Sequence, residues 1–274
     1  MGTFAGLPLF APLARAATAE ATPEAAALTD ANILNFALNL EYLEAEFYVR
    51  AAFGKGLHIE DVIGVGGLGP VTGGRAVPFA TPALQQFVNE IARDEYAHVK
   101  FLRKALGSAA VSRPTIDLTQ SFTTAARAAG VIGPGQTFDP FADENSFLLA
   151  AYIFEDVGVT AYHGAAPFIT NKDYLLAAAG ILGTEAYHAA EIRTLIYQRG
   201  LAVPAEKITH LRINASGADD DQGVISDGQA NIVPTDANGL VYARTPDQVL
   251  NIVYLGGAAG HFGFFPKRLN GAIN

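Results

Sequence analysis

Cysteine is absent from all 274 residues. That removes disulfides, iron–sulfur clusters, thiolate zinc sites and cysteine nucleophiles, so any bound metal must be held by carboxylate and imidazole. Basic residues are in deficit: 18 Lys and Arg stand against 27 Asp and Glu, for a formal net charge of −9. A nucleic-acid binder needs a basic face to displace counterions from phosphate, and this chain lacks the charge for one. An acidic balance instead favours attraction of metal cations. Charged residues are scarce at 16% while half the chain is hydrophobic, enough for a sizeable core. No stretch reaches the roughly 20 uninterrupted apolar residues of a transmembrane helix. The length fits one large domain or a domain with an appendage.

The first 28 residues read as a processing segment and spacer. Gly6 to Leu13 is apolar, and Ala14-Arg15-Ala16 has the small-x-small pattern of a cleavage site. A basic start is missing, so the expectation is an export signal, periplasmic or extracellular in destination, whose beginning lies upstream.

Four segments then carry helical periodicity. The first opens at Thr29-Asp30, runs through Leu34, Leu38, Ala45 and Tyr48, and stops at Gly54. The second starts at Thr81-Pro82, with proline at the first helical position, and ends at Gly107; Phe87, Ile91 and Leu102 mark its inner face. A third begins near Asp143 and passes through Leu148, Tyr152, Val159 and Tyr162. The fourth runs from about Asn171 through Ile181, Ile192 and Leu195 to Gly200. Their lengths suit the staves of a four-helix bundle over residues 29–200, an all-α fold.

A short turn joins the third and fourth helices, whereas residues 107–142 form one long crossover. The Gly-rich loop from Gly54 to Ala80 is long enough to be functional or mobile. Residues 201–274 read as an irregular C-terminal extension broken by one short helix after Thr245-Pro246. Its aromatic run His261-Phe262-Gly263-Phe264-Phe265 would be costly in water, so the extension packs on the bundle or on a partner subunit. A homodimer is the assembly the second option implies.

The chemistry-bearing residues repeat. Glu95-x-x-His98 lies in the second helix and Glu185-x-x-His188 in the fourth, each pair on one helical face and on its apolar stripe. Glu41 on the first helix and Glu155 on the third occupy the same stripes. Each is followed seven residues later by a tyrosine, Tyr48 and Tyr162, and residues 40–51 and 154–165 read as degenerate copies. Four carboxylates in one dry core would repel one another and protonate. Two divalent cations balance them, and two neutral imidazoles complete the set. Oxygen ligands with imidazole and no sulfur suit iron or manganese, with zinc a third option.

That order of Glu, Glu-x-x-His, Glu, Glu-x-x-His resembles the ferritin-like superfamily. The segment from Leu34 to Tyr48, Asp94-Glu95-Tyr96-Ala97-His98, Ala230 to Pro234 and Thr245 to Tyr254 look like the desiccation-related ferritin-like family, from residue 29 onward. The resemblance implies that Glu95 and Glu185 bridge two metals, that Glu41 and Glu155 are terminal ligands, and that His98 and His188 each bind one metal. Glu44 and Glu191, one turn beyond Glu41 and His188, are matched by Gly158 and Phe101 in the other repeat. They are added ligands, partners that orient the histidines, or ordinary boundary residues.

The expected function is a di-iron or di-manganese protein that meets oxygen or peroxide in stress or desiccation protection, with Tyr48 and Tyr162 as candidate electron carriers. Two alternatives stand beside it: a non-catalytic stress protein using the bundle for stability or assembly, and manganese catalase-like peroxide disproportionation. A closed storage shell is disfavoured, because the long extension has no place in one.

Overall fold

The computed structural model describes residues 28–260 and 262–274. The expected export segment, and His261 of the aromatic run, lie outside the described residues. Seven α-helices follow one another there: α1 (Asp30–Phe53), α2 (Pro82–Leu106), α3 (Gln120–Ala128), α4 (Glu144–Ala165), α5 (Lys172–Gln198), α6 (Ala202–Ser216) and α7 (Pro246–Val253). α1 packs along α2 and α4 along α5, and the two hairpins close into a ferritin-like four-helix bundle joined by the crossover from α2 to α4. No helix among the described residues is long and apolar enough to cross a membrane.

The boundaries follow from local chemistry. The Thr29 hydroxyl accepts the Asn32 N–H at the start of α1, and Gly54 closes that helix with a left-handed φ of 70°. The Asp143 carboxylate caps α4 and the Asn171 side chain caps α5. α2 has Pro82 at its first position, but the Thr81 hydroxyl does not cap it. It donates instead to Glu144 at 2.8 Å, and Glu144 also accepts the N–H groups of Ala80 and Thr81 and an ion pair from Arg199 at 2.7 Å. One carboxylate thus ties the start of α2 to the start of α4 and the end of α5.

α1 and α4 are buried on nearly every face, which requires cover outside the bundle. The loop, the crossover and the extension supply it. A two-residue strand in the loop, β1 (Val71–Thr72), pairs in parallel with β2 (Ile116–Asp117) of the crossover. Gly69 permits this approach: a Cβ there would lie 2.1 Å from the Thr115 nitrogen. The crossover also contains α3, whose Phe122 and Ala125 are buried.

The extension is more regular than its composition suggests. α6 begins directly after Gly200, because Pro204 falls in the first turn, where its missing N–H costs nothing. Its buried stripe includes Thr209 and Arg212 beside Ala205 and Ile208, so polarity hides the periodicity. Arg212 is fully buried and pairs with Asp156 of α4 at 2.7 Å and with Asp221 at 2.6 Å. Arg193 of α5 reaches Asp156 at 2.8 Å, and Arg244 reaches Asp220 and Asp221. Three buried arginines against three buried aspartates fasten the extension to α4 and α5. At the other side, Phe264 is fully buried with its ring centroid 4.9 Å from those of Phe122 and Phe154. The aromatic run therefore packs on the chain's own bundle.

Candidate metal centre

Each of the four long helices turns acid inward at mid-length. Glu41 and Glu155 are 1% exposed, Glu95 and Glu185 not at all, and His98 and His188 are buried beside them. The i, i+3 spacing on α2 and α5 puts each Glu and His on one face, and the bundle brings the two faces together. Ligand atoms of Glu41, Glu95, His98 and Glu185 lie within 4.8 Å of one another, as do those of Glu95, Glu155 and His188. Glu95 belongs to both groups. In the first, His98 Nδ1 is 3.2 Å from Glu41, 3.5 Å from Glu185 and 3.7 Å from Glu95. In the second, His188 Nδ1 is 3.0 Å from Glu95 and 3.7 Å from Glu155. The imidazole centroids are 6.5 Å apart.

Protein groups alone do not satisfy these atoms. Among the described residues, eight buried side-chain nitrogen and oxygen atoms lack a hydrogen-bond partner. Six of them are here: both oxygens of Glu95, both of Glu185, one of Glu155, and His188 Nδ1. The short His188–Glu95 approach is a juxtaposition without hydrogen-bond alignment. Orphaned buried acceptors are costly unless something positive joins them. Burial pushes the carboxyl of Glu155 up to about 8, and burial with mutual repulsion raises Glu185 well above the usual range. Burial raises Glu41 as well. Burial also works on Glu95, but the two histidines outweigh it and hold that carboxyl low. Burial opposes charge on the imidazoles, yet Glu41 and Glu95 lift His98 to about 11, and Glu95 and Glu155 lift His188 to about 9. Without a metal, the cluster binds protons. It is a buried carboxylate–histidine site compatible with metal, and its donor set of oxygen and imidazole fits hard or borderline divalent cations.

The "Ferritin-like domain" family model matches residues 29–198. A desiccation-related protein of Craterostigma plantagineum is 32% identical over 243 residues, covering 81% of this chain and 76% of the relative. A ferritin-like catalase of Nesocodon mauritianus is 30% identical over 266 residues, covering 89% and 84%. This chain belongs to the desiccation-related ferritin-like family.

Around the centre of this ferritin-like protein, the two repeats exchange contacts. Tyr48 of α1 donates its hydroxyl to Glu155 of α4, and Tyr162 of α4 donates to Glu41 of α1. Burial, then the neighbouring carboxylate, holds both phenols well above their ordinary pKa, so both remain donors. Spacing put each tyrosine on its own helix's stripe; it did not reveal that each serves the opposite hairpin. Asp94 stands in a segment that carries the resemblance, but the sequence assigns it no role. Its carboxylate lies 3.3 Å from His188 Nε2, placed to accept an N–H there and to hold the ring with Nδ1 towards Glu95. No local spacing signals a contact between residues 94 positions apart.

Glu44 and Glu191 stand outside both groups of converging atoms. Glu191 is half-buried, raised by burial and by Glu90. Glu44 is 5% exposed, its carboxyl raised by burial and by Glu95, Glu41 and Glu155, and it accepts no hydrogen bond among the described residues. Gly158, its counterpart in the second repeat, has a role of its own. A Cβ at that position would fall 2.2 Å from a carboxylate oxygen of Glu185, so the glycine gives Glu185 its space.

Proposed function

We propose that the protein holds two divalent ions, iron or manganese, at this centre and reacts with oxygen or peroxide, protecting against desiccation or related oxidative stress. The observation that carries the reading is the concentration of orphaned buried acceptors on Glu95, Glu155 and Glu185. Four carboxylates match the charge of two divalent cations. Glu95, common to both groups, would be shared by the two ions. Glu185 would join it between them as the resemblance implies, Glu41 and Glu155 would each hold one ion, and His98 and His188 would give one imidazole to each. Such an ion pair, when bound, supplies electron transfer to or from a small oxygen species.

The chain's own groups define what happens around it. Tyr48 and Tyr162 hold a phenolic proton against Glu155 and Glu41, fixing the orientation of the other oxygen of each carboxylate. Asp94 orients His188. The aromatic wall of Phe47, Phe147 and Phe154 keeps water from that side of the core, with Phe47 and Phe147 stacked at 5.3 Å. The name of the Nesocodon mauritianus relative, a ferritin-like catalase, favours peroxide disproportionation. Export, resting on residues 6–16, is retained as part of the proposal.

The test is elemental analysis followed by turnover. Protein from its native host should contain about two metals per chain, and Glu95→Ala with His188→Ala should abolish loading. Oxygen release from peroxide supports the catalase form; oxidation of ferrous iron supports the oxidase form. Metal-loaded protein that does neither is a non-catalytic stress protein, and full metal retention in the double variant refutes the site.

A further inference from the structure

A narrow cleft opens between α1 and α4 and stops one side chain short of the centre, at Gly158 and Tyr162. Its walls include Ala37 and Leu40 on one side and Gly158 and Ala161 on the other, with Glu44 and Tyr162 as its polar groups. Its volume is about 30 Å³, room for roughly one small molecule, since a water needs about 10–15 Å³ measured this way. Two features join it to the reactive core. Tyr162 carries its hydrogen bond to Glu41, and Gly158 stands against Glu185, where a single added carbon would collide.

We propose that the cleft between α1 and α4 is the access path and holding site for hydrogen peroxide, with Glu44 its hydrogen-bonding end. This deepens the functional reading above and rests on it. The apolar walls give no affinity to ions and admit a small neutral molecule. Glu44 is a carboxyl that is buried, without a hydrogen-bond partner, and part of the cleft lining. Its oxygen can accept an O–H from peroxide. Dioxygen has no O–H to donate, so Glu44 adds affinity for peroxide alone. Gly158 keeps the cleft floor thin beside Glu185, where a side chain would collide. Glu44 thereby has a use that explains its absence from both groups of converging ligand atoms.

The experiment combines occupancy, metal content and kinetics on the full metal-loaded chain. Krypton-pressurised crystals should show the gas between Ala37 and Ala161. Ala37→Phe, a plug on a half-buried rim, should keep its metal and lose kcat/KM for peroxide. Glu44→Met should keep its metal and raise KM about tenfold, the worth of one ordinary hydrogen bond, while Glu44→Gln, which retains an acceptor oxygen, should raise it less. An unchanged kcat/KM in Ala37→Phe, or no krypton in the cleft, overturns the path. Loss of metal in Glu44→Met overturns the assignment of Glu44 and makes it a ligand. If the parent protein turns over no peroxide at all, the functional reading itself fails, which is a different result from normal turnover that ignores the plug.

Discussion

The Tyr162 hydroxyl on α4 is hydrogen-bonded to the Glu41 carboxylate on α1, 121 residues away in sequence. Tyr48 repeats the contact in reverse with Glu155. The pairing makes the two hairpins equivalent about the centre, and each half completes the other's carboxylate.

Tyr162→Phe therefore leaves a buried Glu41 oxygen without its donor. The metal-free protein should lose about 1–3 kcal/mol of stability, read from denaturant midpoints at unchanged slope. A variant as stable as the parent would show that the bond contributes nothing.

Glu185→Gln separates stability from metal binding. Burial and the neighbouring carboxylates raise this carboxyl well above its ordinary value, so the metal-free protein favours its neutral form. The amide should leave the metal-free melting temperature nearly unchanged. The increment given by added metal, about 2.7 kcal/mol at a hundred times Kd, should vanish. Persistence of that increment would remove Glu185 from the ligand set.

Metal loading should expel protons. In metal-free protein Glu155 titrates at about 8, His188 at about 9 and His98 at about 11, all above neutral pH. Ligation needs the deprotonated forms, so apparent affinity should rise from pH 6 to pH 9. Calorimetry in buffers of different ionisation heat should register net proton release. Affinity independent of pH would contradict the arrangement.

Glu144 should give an acid-side signature. Its hydrogen bonds to Ala80, Thr81 and Arg199 outweigh partial burial and hold the carboxyl at about 2. Because the folded value lies below the unfolded one, its contribution is fully present above the ordinary carboxylate range and fades as pH falls towards 2. The stability gap between parent and Glu144→Gln should close over that interval. A gap constant from pH 6 to pH 2 would assign the effect to something other than this charge.

Arg212→Met should be severe. The arginine is fully buried and holds Asp156 and Asp221, and deleting one member of such a network costs about 3–5 kcal/mol. Thermal unfolding at neutral pH would register it; a loss below one kcal/mol would mean water reaches the aspartates.

Much of this was legible in sequence. The i, i+3 pairs, the stripe carboxylates and the caps at Thr29, Asp143 and Asn171 are local features, and periodicity exposes local features. What periodicity could not expose was tertiary: the crossing of Tyr48 and Tyr162, the reach of Asp94 to His188, and the space that Gly158 leaves for Glu185. α6 escaped because arginine and threonine occupy its buried stripe, where hydropathy reads surface. On α2, Ile91 and Leu102 are buried as the periodicity predicts, while Phe87 is only half-buried and Leu84 and Val88 take the inner face beside it.

Each group of converging ligand atoms draws on both hairpins. Glu41, Glu95 and His98 come from the first and need Glu185 from the second, while Glu155 and His188 need Glu95. Severed in the crossover, neither fragment would own a complete coordination set. Occupancy by metal would thus report on assembly: ions would bind only where the two halves have already met, and would then clamp those halves shut.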